Sequence, residues 1–353
     1  MTLGSLVGAA GLGALTGAGI VLALTRAPQK EPTTALAPSK PTPEIKVPPS
    51  KAPNAHVKQG QVGSRFGVPT PVQSVKHYGS TFALGYDRRL RTSAWAYEVI
   101  TMDSISGDAK RRPGFYEDPT ELHLFRARPT DLSKTGLDRG HLVPAADYKG
   151  DQIAMNETFV MSNICAQDME LNRGFWGKIL EPFMRGLAHK YEEVHVISGP
   201  LYLPRFDSER MEWQTNYRVV GHELSKRKSS PPGEPVVTES DLPVIPVPTH
   251  LYKIVMVQDE HKQPLVAAFV IPNAPVEADT SLASFQSPVW ALEALSGHLF
   301  FPKVFHPEVD NSTGDLIQPH FKPIVPKDLC KAVSCEGPQE TWRKATKSVA
   351  SQA

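Results

Sequence analysis

Hydrophobic and polar positions alternate through the middle of the chain, or apolar residues run in short blocks closed by Gly or Pro. Thr81 to Tyr86 and Ala94 to Ile100 have this pattern, and between them lies Asp87-Arg88-Arg89-Leu90-Arg91. They predict an antiparallel pair of strands with a basic tip. Apolar blocks at Val194 to Ser198, Tyr217 to Val220, Tyr252 to Val257 and Leu265 to Ile271 are further sheet candidates. Between Leu171 and Lys190 the period changes: Phe175, Ile179, Phe183 and Leu187 recur at four-residue steps, with Leu180 and Met184 alongside. That is helical spacing, with Asn172 at the entrance, where it also suits a helix cap. A second helix is predicted from Ser287 to Leu295, stopped by Ser296-Gly297, and Ser225 to Pro248 reads as a surface loop. The sum is an α+β domain, a central antiparallel sheet flanked by helices.

The amino-terminal part follows neither period. Leu3 to Leu24 carries no charged side chain and is long enough to cross a bilayer as a helix. No basic residue precedes it, which favours a retained anchor over a cleaved signal. Pro28, Pro32, Pro38, Pro41, Pro43, Pro48, Pro49 and Pro53 then deny the chain backbone donors, as in an extended spacer. The layout expected is a membrane anchor or targeting segment over residues 1–27, a Pro-rich linker over 28–62, a folded domain over 63–325 and a carboxyl-terminal tail over 326–353.

Net charge is +1 over 353 residues, so attraction to a polyanion has to come from a local patch. The three cysteines are too few for a disulfide framework and lack zinc spacing. Cys330 and Cys335 suit either a small local bridge in an oxidising space or two free thiols. Cys165 suits a small buried hydrophobe. No G-x-S-x-G elbow supports a serine hydrolase.

The chemistry gathers around Asp138-Arg139-Gly140-His141. His141, in a short strand-like stretch, offers a neutral imidazole near physiological pH, with an ordinary pKa of about 6.5, able to take a proton from water. Gly140 leaves room for close approach by a backbone or a phosphate. Asn163, after the strand-like Phe159 to Ser162, would steady the imidazole and a phosphate. Asn172 offers one hard, neutral oxygen of the kind that binds Mg²⁺ while the ion keeps most of its water. Arg126 and Arg139 can each fork onto phosphate oxygens. Arg88, Arg89, Arg91, Arg128, Lys149, Arg173 and Lys178 extend this to a local positive groove. Base, cation and guanidinium are what phosphodiester hydrolysis needs.

Ordered segments of this chain resemble the sugar-nonspecific DNA/RNA endonucleases with a ββα-metal core, most of all their mitochondrial members. The likeness runs from about Phe66 to Pro302. It is carried by Tyr86-Asp87, Leu137-Asp138-Arg139-Gly140-His141-Leu142, Ala154 to Phe159, Ser162-Asn163-Ile164, Leu171-Asn172-Arg173-Gly174-Phe175-Trp176 and Ser198 to Pro204. The resemblance implies a ββα-metal nuclease fold acting on DNA and RNA with Mg²⁺, or Mn²⁺ in its place. It makes His141 the general base, Asn172 the metal ligand, Arg139 and Asn163 active-site supports, Arg126 a phosphate clamp, and Asp138 and Arg173 substrate-side residues. It also implies a homodimer tethered by its amino terminus to the mitochondrial inner membrane, facing the intermembrane space.

One position departs from the pattern. The family's second carboxylate lies eight residues after the metal-binding asparagine, where this chain has Leu180; Glu181 follows, then Pro182. A one-residue bulge would return Glu181 to the site. Two other readings stay open: a 5′-exonuclease of the sister branch, which carries Ser where Asp138 stands, and a catalytically idle nucleic-acid-binding protein.

Overall fold

The computed structural model describes residues 73–79, 81–111, 114–221, 245–306 and 326–335. The expected anchor over 1–27 and linker over 28–62 lie outside the described residues, as does most of the loop expected over Ser225 to Pro248.

A seven-stranded sheet forms the frame. Its strands, in chain order, are β1 (Gln73–Tyr78), β2 (Phe82–Asp87), β3 (Thr92–Ile100), β6 (Val194–Leu201), β11 (His250–Gln258), β12 (Pro264–Pro272) and β13 (Lys327–Asp328). Their spatial order is β1-β2-β3-β6-β11-β12-β13. Every pairing is antiparallel except the last, where the two residues of β13 run parallel to Leu265 and Val266. The sheet is therefore mixed at one edge rather than purely antiparallel. β1, which the alternation did not single out, pairs with all of β2 from Gln73↔Asp87 to Tyr78↔Phe82.

β11 and β12 are buried from end to end save their last residues, so both faces of the sheet are covered there. The two-residue period divides them cleanly. Leu251, Val255 and Val257 of β11, with Leu265, Ala267, Phe269 and Ile271 of β12, join the larger core. Tyr252, Ile254, Met256, Val266, Ala268 and Val270 face the smaller core with Leu292, Phe300 and Phe305. Lys253 falls on the larger-core face by the same alternation.

A second unit packs on that larger-core face: β4 (Leu137–His141) pairs antiparallel with β5 (Ile164–Asp168), and β5 runs straight into a long helical stretch. This is a ββα unit. Side chains help to bind it to the frame. Thr92 and Ser93 of β3 donate to the carbonyls of Ile164 and Ser162, and Asn273 donates to Ala166 O while accepting from Asp168 N. Two hairpin-like pairs complete the strands, β7 (Arg205–Asp207) with β8 (Glu212–Gln214), and β9 (Val219–Val220) with β10 (Ile245–Pro246).

Three expectations change. The continuous helix from Leu171 to Lys190 is instead a short turn at Met169–Leu171, a π-helix over Asn172–Leu180 and an α-helix over Glu181–Leu187. The strand-like Phe159 to Ser162 contributes one bridge, Tyr116 to Val160, and a 3₁₀ turn before β5 begins at Ile164. The tail expected from residue 326 is, for its first ten residues, part of the body: β13 lengthens the sheet, Leu329 is fully buried, and Cys330 is bonded to Cys335. The bridge holds Cys335 where its carbonyl accepts from Ala283 N. The other predicted helix forms over Val289–Ser296 and ends on Gly297 in the left-handed region at φ 73°.

Closing so short a loop constrains the unfolded chain by roughly 2 kcal/mol. Cys335→Ser should lower unfolding stability by about that amount in a denaturant titration without reductant, and reductant should make parent and variant alike.

Candidate active site

The ββα unit brings its chemistry to one cavity of about 490 Å³, lined by Arg111, Asp138, Arg139, His141, Asn172, Arg173, Lys178 and Glu181 together with Phe115 and Phe159. Antiparallel pairing explains the first part of this. Asp138 stands opposite Gln167 and His141 opposite Ile164, so the DRGH strand lies directly beside the strand that leads into the helix. Gly140 is needed because a Cβ there would run into the Gln167 side chain. The close approach that this glycine permits is to a neighbouring side chain.

The helix starts on Asp168, whose carboxylate accepts from the amides of Glu170 and Leu171. Asn172 is thus one turn inside and is not the cap. Its Nδ2 donates to Asp138 Oδ2 at 2.9 Å, and Arg173 forks onto both oxygens of the same carboxylate at 2.8 and 2.7 Å. With the NH₂ end so engaged, the opposite end of the amide, Oδ1, is the one turned away from Asp138. Burial acts to raise the Asp138 carboxyl, but the hydrogen bonds from Arg173 and Asn172, with the charges of Arg173 and Arg139, outweigh it and hold the group below the usual range.

Nine residues separate Asn172 from Glu181. At 3.6 residues per turn they would stand about 180° apart on opposite faces of a helix. The π-helix removes that conflict: Glu181 N donates to Trp176 O, five residues back, so each wide turn absorbs part of the extra residue. Two glycines allow it. Gly174 leaves helical geometry at φ −105° and ψ −112°, and a Cβ on Gly177 would sit 2.6 Å from Asn172 O, five residues earlier. Glu181 consequently lines the same cavity as Asn172 and His141. The bulge comes before Glu181 and extends over two turns.

His141 packs its ring between Phe115 and Phe159, with centroids 5.4 and 5.0 Å away, and its Nε2 is buried with no hydrogen-bond partner in the protein. Burial first, and the charge of Arg111 second, push its pKa down to about 3, so the imidazole is neutral across the physiological range. Burial raises Glu181 to about 7 against the opposing charges of Lys253, Arg185 and Arg111. Behind it, Arg185 Nη1 lies 2.6 Å from Asp147 Oδ1 and 3.7 Å from Glu181 Oε2.

Other expected residues fall differently. Asn163 is wholly buried and spends its amide on backbone: Oδ1 accepts from Val143 N, and Nδ2 donates to Val143 O and Thr158 O. It fixes the chain two residues past His141 and is not a cavity-lining group. Arg126 is also not among the lining residues; its guanidinium donates to the carbonyls of Glu121 and Pro119. Arg139 does line the cavity, lying over Phe115 and donating to Pro129 O. Of the wider basic set, Arg173 and Lys178 reach the cavity, while Arg88 pairs with Glu121 and Arg89 with Asp87. Sequence reasoning missed Arg111. It stands in no motif and precedes His141 by thirty residues, so only the folded chain brings them together.

Among the described residues, no three or more His, Cys, Asp or Glu side chains are grouped as a metal cage. The hard oxygens of Asn172 and Glu181 in one open polar cavity suit instead a cation that keeps most of its water.

The profile of the DNA/RNA non-specific endonucleases matches residues 59–306. A mitochondrial nuclease of Saccharomyces cerevisiae is 33% identical over 83% of this chain and 82% of its own length. The mitochondrial nuclease EXOG of Danio rerio is 36% identical over 69% of this chain and 65% of its own length. A crystal structure of an EndoG/EndoGI complex aligns with TM-score 0.57 and 27% identity, covering 75% of this chain and all of that one. With the ββα unit and the DRGH strand at its cavity, these matches make the chain a nuclease of the DNA/RNA non-specific endonuclease family, EndoG-like in fold.

Proposed function

We propose that this nuclease is a Mg²⁺-dependent endonuclease that hydrolyses phosphodiester bonds of DNA and RNA, leaving 5′-phosphate and 3′-hydroxyl ends. The observation that carries the reading is the meeting of His141, Asn172 and Glu181 in one cavity, with Asp138 turning the Asn172 amide. Asn172 would hold the ion through Oδ1, with Glu181 bonding to its water shell, and Mn²⁺ suits the same oxygens. When bound, the ion supplies positive charge beside the departing 3′-oxygen. His141, kept neutral by its surroundings, takes the proton from the attacking water. Arg139, Arg111, Arg173 and Lys178 offer positive charge to the phosphate, and sugar and base contacts are not required for this chemistry. Asn163 acts from behind, by fixing the Leu142 and Val143 backbone.

The mitochondrial names of the relatives and the apolar Leu3 to Leu24 support a tethered enzyme on the mitochondrial inner membrane, facing the intermembrane space. A disulfide between Cys330 and Cys335 fits an oxidising compartment. Among the described residues no helix is long and apolar enough to cross a membrane. A homodimer is part of the same reading and rests on the family resemblance. A second reading, a 5′-exonuclease of the sister branch, is compatible with the likeness to nuclease EXOG. Covalently closed circular DNA separates the two, since only an endonuclease opens it.

His141→Ala should lower kcat on plasmid DNA by about 10²- to 10⁴-fold while leaving DNA binding in place, and a chelator should silence the parent. Retained metal-dependent cleavage by that variant would overturn the assignment. The imidazole also makes a stability prediction. Its folded pKa lies below the unfolded value, so between about pH 6.5 and 3 the unfolded chain binds a proton that the folded chain refuses. Stability is full above that window and falls as the pH drops through it. Melting curves from pH 7 to 5 should therefore show a steeper loss for the parent than for His141→Ala.

A further inference from the structure

Lys253 is a buried cation whose charge acts on Glu181 but whose direct contacts this reading does not use. It lies at the centre of the sheet, on a strand flanked by β6 and β12 and otherwise almost wholly apolar, and is 1% exposed. Burying an ammonium there is costly unless its donors are used. Two hydrogen bonds and one ring contact offset that cost, and each goes to a different part of the chain. Nζ donates to Leu142 O at 3.1 Å, one residue past His141, and to Ser198 Oγ of β6 at 2.6 Å. It also lies over the ring of Trp176, 5.3 Å from the centroid, in the middle of the π-helix. We propose that Lys253 is a positioning residue of the nuclease site, a buried cation that sets the spacing between the strand carrying His141 and the π-helix carrying Asn172. This rests on the reading of His141 as base and Asn172 as metal ligand.

The charge of Lys253 acts through space on Glu181, Glu98 and Asp147, but charge balance alone does not account for its direct contacts. Its hydrogen bonds go to a carbonyl and a hydroxyl, not to a carboxylate, while Glu98, the fully buried acid of β3, has neither oxygen paired. The contacts of Lys253 join the frame, through Ser198, to both halves of the site, through Leu142 and Trp176. Alternation along β11 puts Lys253 on the same face as Leu251 and Val255, the face on which the ββα unit packs. A neutral side chain of equal length would fill the volume and leave Leu142 O and the Trp176 face without their shared partner.

The test uses the whole chain with Lys253→Met, Lys253→Arg and His141→Ala, read by thermal melting, by Mn²⁺ binding in electron paramagnetic resonance, and by kcat and KM in Mg²⁺. Lys253→Met is expected to melt cooperatively, to bind Mn²⁺ about tenfold more weakly and to lose about 10- to 100-fold in kcat at little changed KM. Lys253→Arg should recover part of both. A folded Lys253→Met with parental Mn²⁺ affinity and kcat would overturn the proposal. Should that variant fail to fold, Ser198→Ala decides: a weaker Mn²⁺ affinity at an unchanged melting temperature supports the role, and parental affinity ends it. An inactive His141→Ala that binds Mn²⁺ like the parent keeps the underlying reading intact. An active one removes that reading and this proposal with it.

Discussion

The structure turns on a problem of helical register. A carboxamide and a carboxylate nine residues apart have to face one cavity, and an ordinary α-helix would point them in opposite directions. Hydrogen bonding five residues back solves it, at the cost of a wider, less regular turn. That cost is met locally by Gly174 and Gly177, and globally by packing, for Phe175, Trp176 and Leu180 are buried in the same stretch. The helix is held in its unusual winding by the core against which it lies.

Around that helix the polar groups work in layers. Asp138 joins strand to helix by accepting from Asn172 and Arg173 together. Asn163 ties the backbone beyond His141 to Thr158. Asp147 and Arg185 stand behind Glu181. Each contact fixes the direction of a group that lines the cavity, or of the chain beside it.

The main strands were legible because alternation and glycine-closed blocks are local signals: β2, β3, β6, β11 and β12 all fall where the apolar pattern sets them, whereas the ββα unit came from the family resemblance. His141, Asn172 and Asp138 were legible because the DRGH strand and the helix entrance are adjacent through a tight antiparallel pair. Arg111 was not, since its place in the cavity comes from a chain path that no periodicity encodes. Arg126 shows the reverse, a guanidinium of the right chemistry drawn off by two carbonyls of its own loop. The helical period also hid the change of winding, because buried residues at four-residue steps look alike in an α-helix and in one containing wider turns. Only the displaced acid at Glu181 hinted at it.

The bond between Cys330 and Cys335 reaches further than the edge it closes. Cys335 O takes Ala283 N, Phe285 two residues on stacks edgewise against Phe175 at 5.2 Å, and Phe175 belongs to the π-helix. The family match ends at residue 306, so the disulfide lies beyond the matched span while Ala283, Phe285 and Phe175 lie within it. One peripheral bond thus stands two contacts away from the helix that carries Asn172, although neither of its own cysteines lines the cavity.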